Sequence, residues 1–212
     1  YKQGNMKEAA PLWRKAYKTC PPTASQNMFI EGQKILKYCI DNYKGDAAGR
    51  DKLIDSLFML NDVRAQYYPN NAYRAHENKV MDMIAYYGKD PAKAKQIYEA
   101  SMSIIKEGGV NAYSSLIVNT MIKAGDLYKN KELTDEQVMN TYSELNDVLE
   151  AKMEANPADT TLKKEQLTLQ NAFITSGVAT CDNLVKVFSP RFKENPNDTV
   201  LVKTIVGLLN TN

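Results

Sequence analysis

The sequence predicts an all-α chain, a solenoid of stacked helical hairpins with about ten helices. Three observations predict it. Apolar residues recur every three or four positions wherever a period can be read, and no stretch alternates as a half-buried strand does. Gly and Pro are scarce, 10 and 8 of 212 residues, which leaves few turns and long elements. The turn signals that do occur are Pro21-Pro22, Pro69, Gly108-Gly109, Asn156-Pro157 and Asn195-Pro196. They are alternately about 48 and about 39 residues apart, room for two helices each, and a hairpin that cannot bury its stripe alone needs neighbours to cover it.

In chain order, Gly4-Asn5 turns the chain into a first helix, where small Ala9 and Ala16 let a neighbour approach and Trp13 fills the space between. Phe29, Gly32, Leu36, Ile40 and Tyr43 form the next stripe, and Leu53, Leu57, Leu60 and Tyr67 that of its partner. Tyr73, Glu77, Val80, Ile84 and Tyr87 follow. Asp90 then places an N-cap carboxylate before Pro91, whose missing N–H costs nothing in the first turn of a helix carrying Ala94, Ile97, Ser101 and Ile104. Gly108-Gly109 ends it. Tyr113, Ile117, Thr120, Ala124 and Leu127 mark another helix, and Thr134 with Gln137 forms a capping box ahead of Val138, Tyr142, Leu145 and Leu149. Asp159 and Asp198 open later helices. Pro190, in NLVKVFSPRFKEN, falls inside one of these and is expected to kink or shorten it.

Charge narrows the function. Lys and Arg number 27, Asp and Glu 25, and the net charge of +2 is spread without a basic block, against a nucleic-acid or polybasic membrane surface. No apolar run approaches the roughly 18 residues of a membrane span, and the chain opens in a polar segment without a signal-peptide pattern, so it is expected to be soluble.

Catalytic and metal chemistry find few candidates. His76 is the one histidine, and zinc sites or catalytic dyads need two or more convergent ligands, so a packing or groove-edge role is expected. No metal is expected, nor a cofactor, because a dinucleotide or P-loop glycine motif is absent. Cys20, Cys39 and Cys181 have no metal spacing; Cys39 reads as a small buried hydrophobe. Carboxylates such as Asp135, Glu136, Glu144 and Glu150 sit at caps and on solvated faces, whereas a catalytic pair needs two held together in a pocket. The 13 Tyr and 9 Met, among them Tyr67-Tyr68, Tyr86-Tyr87, Met81 and Met83, are expected mostly in the core, with a minority lining a groove.

Tyr1, Gly4, Asn5, Ala9, Trp13, Ala16 and Pro21 in YKQGNMKEAAPLWRKAYKTCP resemble the turn and second helix of a tetratricopeptide repeat (TPR), and YYGKDPAKAKQIYEAS repeats the scheme with Gly88, Ala94, Tyr98 and Ser101. Leu57 and Leu145 stand where that family prefers Ala, and the longer steps exceed its period of about 34 residues. The whole chain resembles the exported TPR-like proteins of Bacteroidetes, through YKQGNMKEAAPLWRKAYKTCPPTASQNMFIEGQKI and FITSGVATCDNLVKVFSPRFKENPNDTVLVKTI. The resemblance implies a right-handed α-α superhelix, a periplasmic or envelope-associated location, and disulfide partners for Cys20 and Cys181 in flanking helices. On that reading residues 1–212 are a single TPR-like domain cut from a longer array. It would open on a second helix and close on a first helix over Thr199 to Leu209, with exposed end helices that favour self-association.

The function expected is a non-enzymatic scaffold that binds a peptide or partner segment in the concave groove of the array. Gln33, Lys37, His76, Lys79, Asn119 and Lys123 are the polar residues beside the stripes of successive first helices. The three lysines suit an acidic partner. A glycan-binding envelope protein built on TPR helices is the alternative, and an all-α hydrolase ranks below it.

Overall fold

A computed structural model describes residues 5–194 together with 196, 197, 199, 202, 206 and 207. Among these residues the chain is all α-helical, without a strand. The helices are α1 (Met6–Thr19), α2 (Asn27–Asp41), α3 (Ala47–Tyr67), α4 (Ala72–Tyr87), α5 (Pro91–Gly108), α6 (Ser114–Lys129), α7 (Asp135–Ala155), α8 (Thr160–Thr175) and α9 (Cys181–Glu194). The helix expected over Thr199 to Leu209 lies for the most part outside the described residues, as do Tyr1 and Gly4. The backbone of α9 is helical through Pro190.

Side chains at the helix ends take up backbone N–H groups that lack a partner within the helix. Asp46 accepts from the Gly49 N–H at 2.8 Å, Asp90 from Ala92 at 3.0 Å and Asp159 from Thr161 at 2.8 Å. Thr134 and Gln137 form both bonds of the capping box. Pro22–Ala24, Pro69–Asn71 and Gly109–Asn111 wind as short 3₁₀ turns, and Gly109 ends α5 at a φ of +50°, which a side chain would oppose.

The chain divides into two compact units, Tyr1–Tyr86 and Tyr87–Asn212. In the first, α2 packs on both α1 and α3. Its buried apolar residues are Phe29, Ile35, Leu36 and Ile40 of α2, Ile54, Leu57 and Leu60 of α3, and Ala75, Val80 and Met83 of α4. Trp13, Tyr17, Phe29 and Tyr68 form a chain of rings with centroids 5.3 to 5.9 Å apart. The Trp13 indole N–H donates to the Met28 carbonyl at 2.9 Å and lies against Gly32, where any Cβ would strike the ring.

The buried stripe of α3 is turned from the one expected. It runs through Ile54, Leu57, Leu60, Asn61, Arg64 and Ala65, while Leu53 is half-buried and Tyr67 is 41% exposed. Polar Asn61 and Arg64 belong to the inward face, and a stripe drawn from apolar residues alone misses them. Tyr68 turns inward instead, its hydroxyl donating to the Pro22 carbonyl at 3.1 Å. Tyr43 and Tyr113 are also exposed, because one follows the last turn of α2 and the other is the N-cap of α6.

In the second unit α6 is the central element, packed on α5, α7 and α8, while α7 also meets α8 and α9. Leu116, Ile117, Val118, Thr120, Met121, Ala124 and Leu127 of α6 are all buried. Tyr142 of α7 stacks on Phe173 of α8 with centroids 4.1 Å apart and meets Phe188 of α9 edge-on at 6.4 Å.

Candidate functional site

Four polar side chains converge inside the first unit. Gln33 of α2 donates its amide to the Asn61 carbonyl oxygen on α3, and Asn61 donates in turn to the Leu57 carbonyl at 3.2 Å. Asp82 of α4 points its Oδ1 to within 2.5 Å of Lys37 Nζ, while its Oδ2 is buried without a hydrogen-bond partner. Asp82 is 2% exposed, whereas the Lys37 side chain keeps 42% of its surface. The lysine reaches in from solvent to meet a carboxylate that has none.

Burial pushes the Asp82 carboxyl above its usual range, and the Lys37 ammonium and Asn61 offset part of that rise. Tyr86 is pushed up to about 12 by burial and by the negative charges of Asp41 and Asp82. A carboxyl whose pKa is raised by folding contributes stability that is full below its unfolded value, about 3.9. That contribution is lost as pH rises through the higher folded value. The Asp82→Asn variant should therefore gain stability relative to the parent chain between pH 3 and pH 7. Urea unfolding at the two values checks this, and a gap that stays constant or shrinks as pH rises would refute it.

The other residues expected to bind a partner fall elsewhere. Lys79 holds the Asp62 carboxylate at 2.7 and 2.8 Å, and His76 is half-buried on the same helix. In the second unit, Lys123 donates to the Gly88 carbonyl at 2.6 Å and to Asp126 at 2.5 Å, and it is 9% exposed. Asn119 donates back to the Ser115 carbonyl at 2.7 Å. The structure thus brings Gln33 and Lys37 together and gives each of the three lysines a carboxylate of its own chain. An acidic partner has to compete with Asp82, Asp62 and Asp126.

A larger recess lies between α5 and α7, a groove of 640 Å³. Tyr98, Met102 and Leu133 supply its apolar surface, with Lys95, Gln137 and Asn140 beside them. The Tyr98 hydroxyl is 2.7 Å from the Thr141 hydroxyl, and Lys106 pairs with Glu144 at 3.2 Å from one helix to the other. Tyr98 belongs to the repeat motif, whereas Met102 lies just beyond it. Its sequence signal is position: it stands four residues after Tyr98, one step round the helix from the Ile97 and Ser101 stripe.

Comparison with family models, curated proteins and solved structures gives no match. No group of three His, Cys, Asp or Glu among the described residues could hold a metal ion. Asp135 accepts from Asn183 and Tyr128 at 3.0 Å each, and these bonds hold its carboxyl below the usual range. Glu144 faces Lys106, Glu150 accepts from Asn146 at 2.6 Å, and Glu136 stands exposed in the first turn of α7. Cys20 and Cys181 are exposed thiols, and Cys39, expected to be buried, is half-buried at the edge of a cleft. No helix among the described residues is long and apolar enough to cross a membrane.

Proposed function

We propose that the chain is a non-enzymatic interaction scaffold of TPR-like hairpins that holds an extended peptide or partner segment. The observation that carries this reading is the groove between α5 and α7. It offers a half-buried tyrosine and methionine flanked by amide, lysine and carboxylate groups, the mixture that grips alternate side chains of a peptide while bonding its backbone. In the second unit α6 packs on α8 and α7 on α9, the one-after-next contact that a superhelix of hairpins requires. The resemblance to exported TPR-like proteins supports an envelope location.

The groove replaces the lysines as the proposed binding surface, because those lysines already carry carboxylates. Peptides selected from a random library on the full chain should bind with an affinity that Tyr98→Ala with Met102→Ala lowers about thirtyfold, the loss of a hot spot of about 2 kcal/mol. Fluorescence anisotropy with one labelled peptide measures it. Equal affinity for the double variant would remove the groove from the argument.

A further inference from the structure

The first unit carries a second recess, an open cleft of 830 Å³ where α1, α2 and α3 meet. Lys7 and Arg14 of α1, Lys44 of the α2–α3 loop and Lys52 of α3 line it, with one carboxylate, Asp46. That carboxylate is committed to the Gly49 N–H at the start of α3. The four cations take part in no ion pair among the described residues, whereas Lys37, Arg74 and Lys79 of the same unit each hold a carboxylate. Four cations against the single Asp46 carboxylate leave the cleft lining net positive, and a bound anion would compensate the remainder. Arg14 also presents a planar fork suited to a tetrahedral oxyanion, and its guanidinium reaches Cys39 Sγ at 3.9 Å on the cleft edge.

The geometry points to this cleft as a binding site for a multivalent oxyanion, a phosphate or sulfate ester class of ligand, free or borne on a sugar. The four charges come from two helices and one loop that border a single cleft, which suits a ligand carrying more than one anionic group. The site belongs to the first unit and does not depend on the α5–α7 groove.

Cys39 provides a reporter at the cleft. In the full chain with Cys20→Ser and Cys181→Ser, alkylation of Cys39 by neutral iodoacetamide should be slowed saturably by inorganic pyrophosphate or by a disulfated disaccharide. Raised salt should weaken the protection. Whichever probe protects at lower concentration identifies the source. Arg14→Gln with Lys52→Gln should raise the half-protecting concentration about tenfold, and Lys7→Gln with Lys44→Gln tests the same charges should the first pair fail to fold. Lys163→Gln with Lys164→Gln, an equal charge loss on α8, should leave it within about twofold. No protection by either oxyanion, protection by a polyglutamate peptide alone, or an equal loss in the α8 control overturns the proposal.

Discussion

Tyr142→Ala should cost about 3 to 5 kcal/mol of stability in the second unit, the range for truncating a fully buried aromatic ring. Tyr142 is wholly buried and joins three helices, stacked on Phe173 of α8 and edge-on to Phe188 of α9. Removing the ring strands two aromatic neighbours around a cavity that helices of fixed pitch cannot close. Urea unfolding followed by circular dichroism should show the loss. A change below about 1 kcal/mol would mean that the three rings do not form one core.

Lys37→Glu should cost about 2 to 4 kcal/mol, because it replaces the one cation beside a buried carboxylate with a second negative charge. Asp82 is 2% exposed and Lys37 is its charged partner at 2.5 Å. The solvent around Lys37 screens part of the effect, which places it below the extreme for a fully buried pair. The loss should shrink on acidification as Asp82 takes up a proton, its pKa being raised already. Thermal melts at pH 7 and pH 4 measure both, and equal losses at the two values would dismiss the electrostatic account. Charge reversal at Lys37 thus reports on folding before it can report on binding. Tyr98 and Met102 are the better probes of the proposed peptide binding.

Much of the fold was legible because helix signals are local. Thr134 with Gln137, Asp90 before Pro91 and the end at Gly109 all stand where short-range chemistry puts them. The aromatic and aliphatic stripes of α2, α5, α6 and α7 follow from the helical period alone. Glu77, Ser101 and Thr120 are buried in the stripes expected of them, but the buried polar pairing between helices has no local signal. Lys37 and Asp82 are far apart in sequence, and nothing near either residue distinguishes a lysine in solvent from one that neutralises a buried acid. The turned stripe of α3 has the same origin, since Asn61 faces inward to Gln33 of α2 and Arg64 is buried beside it on the same face. The basic cleft was hidden for a related reason: Lys7, Arg14, Lys44 and Lys52 are dispersed along a chain of net charge +2 and meet only when three elements pack.

The burial of α6 also decides where this sequence is free to vary. A helix covered by three neighbours has almost every position committed to packing, so substitutions there are filtered by stability. Lys95, Gln137 and Asn140 stand exposed on the groove walls of α5 and α7, and these three positions carry no such burden. On the proposed reading, partner preference can drift there by single residues while the central helix keeps the framework unchanged.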